Sequence, residues 1–172
     1  MNVTFTRTAE HRYRVSVEGL GVVSAFMEPA PGYDARLPHD LAHFVVESEI
    51  GIAGGVFGQL AAGGHANTFR PLGERPRSRV AKRGKRLATT NRDDAILSEK
   101  VVGIVCRIWT SGGAAPVRDV DGVAADDLSR VCRAFDAVSA VWSKLGIGES
   151  MTLTWPERLG QKPSRRARRS RS

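Results

Sequence analysis

Apolar residues alternate with polar ones at both ends of this chain and recur at three- and four-residue steps between them. That change of period restricts the fold more than any other feature, because side chains repeat every two residues on a strand and every 3.6 on a helix. Val3 and Phe5 face one way, as do Tyr13, Val15 and Val17, with Ala9-Glu10-His11 between them as a turn. Residues 3–7 and 12–18 therefore read as a β-hairpin. Gly19 and Gly21 interrupt the pattern, Val22 to Phe26 fits a third short strand, and Met151 to Trp155 reads as a last strand, stopped by Pro156.

The helical periods lie between. After a loop marked by Pro29, Pro31 and Gly32, a helix is expected over about 38–50. Pro38 suits its first turn, where a missing N–H costs nothing, Asp40 complements the positive end of the dipole, and Gly51 stops it. Gly54 to Gly64 reads as a short glycine-framed apolar helix packed closely on a neighbour. Asn91 or Asp93 can cap a helix of about 94–109 with its stripe of Leu97, Val101, Ile104, Val105 and Ile108. The clearest helix spans about 124–145, with Leu128, Val131, Phe135, Val138, Val141 or Trp142, and Leu145 in register and Gly146 beyond its end. Strands at both ends with helices between predict an α+β domain. Its small antiparallel sheet joins the N-terminal hairpin to the C-terminal strand, and three to four helices pack on one face.

A chain of 172 residues, 41% of them hydrophobic, buries one sizeable core and not two, so residues 1–156 are expected as a single domain. The formal charge of +8 is unevenly placed. Segment 70–92 carries nine basic residues against Glu74, and segment 156–172 carries seven against Glu157, which leaves an acidic body. Residues 66–92, with two prolines and scarcely any periodicity, are expected as an exposed basic loop, and 157–172 as a disordered basic tail. Cys106 and Cys132 fall within helical patterns as free, small apolar residues rather than a disulfide framework. The first seven residues lack the pattern of a signal peptide and no apolar run approaches the roughly 18 residues of a membrane span. The expectation is a cytoplasmic protein.

Chemistry concentrates in the helix at 38–50. At about 100° per residue, His39, Asp40, His43 and Glu47 gather within roughly a 100° arc, with Leu41, Phe44 and Val45 opposite. His at i and i+4 projects two ring nitrogens to one side, and a carboxylate one turn on completes a set for a divalent ion such as zinc or manganese. His39, His43 and Glu47 are the candidate ligands, with His65 as a distant further one. Asp40 and Glu47 are the candidate acid/base residues of a hydrolase-like site. A metal-free acid/base pocket uses the same groups, and so does a purely structural cluster in which His43 pairs with Glu47. Apolar neighbours Phe44, Val46 and Ile50 border the arc, which points to partial burial and hence to a need for partners.

Two glycine segments, Gly19-Leu20-Gly21 and Gly51 to Gly58, look superficially like phosphate loops. Neither ends in Gly-Lys-Ser/Thr, and the second follows a helix where a dinucleotide fingerprint requires a strand, so close helix packing is the better account. The basic segments define the alternative class, a non-enzymatic module that binds nucleic acid weakly and without sequence preference. Arg75, Arg77, Arg79, Lys82, Arg83, Lys85 and Arg86 of the loop and Arg165, Arg166, Arg168 and Arg169 of the tail would contact phosphates. Aromatics for base stacking are missing from the tail.

His39-Asp40-Leu41-Ala42-His43 resembles, over five residues, the HExxH helix of zinc metallopeptidases, which implies His39 and His43 as zinc ligands. It departs where that family has its catalytic Glu, since Asp40 is one methylene shorter. The wider stretch Leu37-Pro38-His39-Asp40-Leu41-Ala42-His43-Phe44-Val45-Val46-Glu47 is similar to a group of small uncharacterised bacterial proteins. That similarity covers about the first 65 residues and implies no mechanism.

Overall fold

The computed structural model describes residues 1–19, 21–64, 66, 68–72, 78–112 and 118–157, with only the backbone described at 78–81. Strands β1 (Asn2–Ala9) and β2 (Arg12–Glu18) form the expected hairpin, in register from Asn2 opposite Glu18 to Arg7 opposite Tyr13 and shifted by an irregularity at Ala9. β3 (Ala25–Met27) adds to β2, and the two-residue β4 (Arg70–Pro71) adds to β3. β5 (Ser150–Thr154) returns to the other side of β1 and sets Met151 opposite Phe5. The sheet order is β4-β3-β2-β1-β5, and every pairing is antiparallel.

The alternation decides which face is covered. Val3, Phe5, Tyr13, Val15 and Val17 are fully buried, while Thr4, Thr6, Arg14 and Ser16 between them are half-buried or exposed. One face therefore meets helices and the other meets water, and the fold is α+β. Helix α1 (His39–Ile50) lies against the inner face, where Phe44 stands edge-on to Phe5 at 6.2 Å and to Trp155 at 5.8 Å. Short helix α2 (Val56–Ala61) adds Phe57, 5.3 Å from Phe44. Two long helices, α4 (Arg92–Thr110) and α5 (Ala125–Trp142), close over α1. As a result Leu41 through Ser48 are all buried, on both sides of α1. Burying each large apolar side chain contributes roughly 1.5–3 kcal/mol, so α1 is a central stabilising element rather than a surface one.

Two expectations change, and one alternative is resolved. Residues 66–92 are not one loop: β4 occupies Arg70–Pro71 and helix α3 spans Ser78–Thr90. The sequence does carry a narrow stripe there, Val80, Gly84 and Leu87 at four- and three-residue steps, but the density of basic residues and the two prolines before it read as a loop. α4 begins at Arg92, earlier than expected, with Asn91, one of the two expected residues, at the N-cap position but making no side-chain cap hydrogen bond. The choice at the end of α5 falls to Trp142, which is buried and donates its Nε1–H to the Asp34 carbonyl at 3.0 Å, whereas Val141 is exposed. Cys106 and Cys132 are free and half-buried, and burial pushes both thiols up from their ordinary value. No helix among the described residues is long and apolar enough to cross a membrane.

Candidate metal centre

Glu47 sits one turn beyond His43 on α1, and the chain after it turns sharply back. Gly51 closes α1 in a left-handed conformation (φ 85°), and within five residues α2 begins. The start of α2 then points at Glu47. Val56 donates its N–H to Oε1 at 2.9 Å, and Phe57 and Gly58 donate theirs to Oε2 at 2.9 and 3.4 Å. These are the first N–H groups of a helix, which have no partner within it, so Glu47 serves α2 as a cap supplied from outside. The glycine segment does cradle an anion, but the anion is the chain's own carboxylate. Gly55 makes room for it: a Cβ there would stand 2.2 Å from Glu47 Cδ.

Ser98, buried on α4, carries the arrangement to the imidazole. Its hydroxyl donates to Glu47 Oε1 at 3.1 Å, and its oxygen lies 2.9 Å from His43 Nδ1. With Glu47 ionised, a serine whose one proton goes to that carboxylate accepts from the imidazole, which makes His43 the Nδ1–H tautomer and Nε2 the lone-pair nitrogen. The expected approach of His43 to Glu47 exists at 4.0 Å, with Ser98 bonded to both. Burial lowers the His43 pKa to about 4, with His39 lowering it further and Glu99 opposing, so the ring is neutral near pH 7. Burial pushes Glu47 up to about 7 against the pull of its N–H and O–H donors.

The lone pair of His43 Nε2 is buried and makes no hydrogen bond among the described residues. Glu99 Oε2, from the next residue of α4, lies 3.4 Å away. Two acceptors face each other there, an arrangement that asks for a cation between them. His39 completes the group: its ring centroid is 4.5 Å from that of His43, and ligand atoms of His39, His43 and Glu99 lie within 4.8 Å of one another. Ligands about 2.0–2.2 Å from a shared tetrahedral ion stand roughly 3.4 Å apart, the separation of His43 Nε2 and Glu99 Oε2. His39 and Glu99 are exposed and His43 is buried, so the centre opens to solvent on one side.

The structure thus brings His39 and His43 together as the helical spacing predicts, but the carboxylate beside them is Glu99 rather than the expected Glu47. Glu47 is turned toward the α2 N-terminus because three unpartnered N–H groups and a serine hydroxyl outweigh a distant site. Asp40 stands apart as well. Its Oδ2 is 2.5 Å from the Tyr13 hydroxyl, which also lies 2.6 Å from the Pro31 carbonyl oxygen. One phenol proton serves only one of these two acceptors at a time, and burial raises the Asp40 pKa from its ordinary value. Burial and the Asp40 charge likewise push the Tyr13 phenol up. Both carboxylates thus have partners of their own, Asp40 the Tyr13 hydroxyl and Glu47 the α2 N–H groups and Ser98.

Glu99 and Ser98 were missed because nothing local announces them; Ser98 alone gives a hint, as a polar residue beside the apolar stripe of α4. Among the basic residues, Lys82, Arg83, Lys85 and Arg86 are exposed on α3. Arg75, Arg77, Arg165, Arg166, Arg168 and Arg169, the side chain of Arg79, and His65 lie outside the described residues. In comparisons with known proteins, no protein family, curated protein or solved structure matches the chain.

Proposed function

We propose that this protein binds a divalent ion of the zinc or manganese class through His39 Nε2 or Nδ1, His43 Nε2 and the Glu99 carboxylate. The observation that carries this reading is the buried, unpartnered Nε2 of a neutral histidine facing a carboxylate oxygen at 3.4 Å. Glu47 and Ser98 hold the His43 ring and its tautomer from behind, as outer-shell partners of ligating histidines do. An ion held by these three residues would supply Lewis-acid activation of water, the chemistry of metal-assisted hydrolysis. Zinc titration of chelator-treated protein tests it. Wild type is expected to bind one ion per chain, and His39→Ala with Glu99→Gln, both exposed and so tolerated by the fold, to weaken binding at least tenfold. Equal binding by wild type and the double variant would overturn the reading.

A second reading, from a different class, is favoured by α3. Lys82, Arg83, Lys85 and Arg86 lie on consecutive turns of a helix with no acidic residue, and among the described residues none of the four is in an ion pair. Such a helix supports weak contact with nucleic-acid phosphates.

A further inference from the structure

A pocket of about 200 Å³ adjoins the metal group and shares His43 and Glu99 with it. Its length follows α4. Arg92, Ala95, Ile96 and Glu99 line it at positions i, i+3, i+4 and i+7, one stripe along two turns, and Val56 of α2 also lines it. At 1.5 Å of rise per residue, Arg92 and Glu99 start about 10 Å apart along the helix axis. The two ends differ in chemistry. At one end stands the His43–Glu99 pair, and at the other the Arg92 guanidinium, exposed and without a hydrogen bond or ion pair among the described residues. Between them the wall is apolar, and Ile96 leaves 45% of its surface exposed there. Glu47 also lines the pocket, with its oxygens turned to the α2 N–H groups and the Ser98 hydroxyl.

Resting on the metal reading above, we infer that this pocket takes a small two-ended organic anion. A carboxylate or phosphoryl group pairs with Arg92, a short apolar stem lies along Val56, Ala95 and Ile96, and an oxygen donor at the far end reaches the ion held by His39, His43 and Glu99. Arginine suits the first role because its planar fork binds such anions through paired hydrogen bonds. The size suits a metabolite rather than a polymer, since drug-sized ligands need roughly 300–1,000 Å³. A polar molecule lacking the apolar stem would leave the Ile96 wall uncovered, and a purely apolar one would leave Arg92 unused.

Two probes separate these contributions: a short-chain alkyl hydroxamate, which seeks only the ion, and the same hydroxamate ending in a carboxylate. Zinc binding is measured first, and its failure overturns the metal reading before either probe is added. On zinc-loaded wild type the carboxylate-ended probe is expected to bind about tenfold tighter, the effect of one charge-assisted contact of about 1.4 kcal/mol. Arg92→Gln should erase that difference while leaving zinc affinity and the affinity of the plain hydroxamate as they were. Equal affinity of the two probes for the wild type, with zinc bound, would overturn the inference and leave the metal reading standing. A preference that survives in Arg92→Gln would also overturn it, by moving the anion's partner elsewhere.

Discussion

At the scale of single residues, Glu47 is the most consequential side chain in the molecule. It is fully buried, caps α2 and orients His43 through Ser98, whereas Glu49, two residues on, is partly exposed and paired with Arg130 at 3.2 Å. Glu47→Gln puts an amide N–H₂ against backbone donors and is expected to lower unfolding free energy by on the order of 3 kcal/mol. Glu49→Gln is expected to cost less than about 1 kcal/mol, as exposed ion pairs do. Urea denaturation of the two variants checks this; equal midpoints would show that the Glu47 network does not stabilise the fold. The same residue sets a pH dependence in chelator-treated protein. Folding raises the Glu47 pKa from 4.5 to about 7, so its contribution to stability is full below the unfolded value and is lost as pH rises through about 7. Folding lowers the His43 pKa from 6.5 to about 4, so its contribution is full above the unfolded value and is lost as pH falls through about 4. The two slopes oppose each other between those limits. Glu47→Gln removes one of them, and its stability should climb with pH from about 4.5 to 6.5 more steeply than that of the wild type. Parallel curves for the two proteins would contradict the assignment.

At the scale of elements, the close approach of α2 to α1 depends on Gly55 having no side chain. Gly55 has an ordinary φ of −69°, so the obstacle to a larger residue is space and not backbone conformation. Gly55→Ala drives a methyl into the Glu47 carboxyl and is expected to destabilise by on the order of 3 kcal/mol, combining overpacking with displaced hydrogen bonds. Gly103, inside α4, gives the opposite sign. A Cβ there meets nothing nearer than an Arg107 nitrogen at 3.9 Å, so Gly103→Ala should stabilise by about 0.5–1 kcal/mol through helix propensity. Thermal melts of both variants are a direct measure of whether the glycines act by packing or by freedom.

For the molecule as a whole, the charge distribution matters more than its total. Basic segments at 70–92 and 156–172 accompany a body of opposite sign, and α3 shows that part of the first segment is a folded, solvent-facing helix. If α3 touches phosphates, replacing Lys82, Arg83, Lys85 and Arg86 with glutamine should weaken binding to every duplex alike. It should also flatten the dependence of log affinity on log salt, by about 0.9 for each phosphate that is no longer neutralised. Fluorescence anisotropy over a salt series decides the matter, and an unchanged slope would remove α3 from the interface.

The two periods of hydrophobicity were sufficient for the α+β architecture, since a hairpin whose Val3, Phe5, Tyr13, Val15 and Val17 share a face has to bury that face under something helical. They also located α1, α4 and α5 to within a few residues, because those helices carry long apolar stripes. His39 and His43 were legible as a pair for the same local reason: one helical turn separates them whatever the rest of the chain does. Burial of Glu47 was legible too, from the apolar residues flanking its arc. What Glu47 is buried against was not, because its donors at Val56, Phe57 and Gly58 reach it only through the turn at Gly51 to Gly55. α3 escaped because its stripe of Val80, Gly84 and Leu87 is short and stands among cations just after Pro71 and Pro76, which read as a loop. Glu99 and Ser98 lie 51 to 56 residues from His43 and Glu47 in sequence. Only the packing of α4 on α1 brings Glu99 and Ser98 to the two imidazoles of one helix and leaves a pocket beside them.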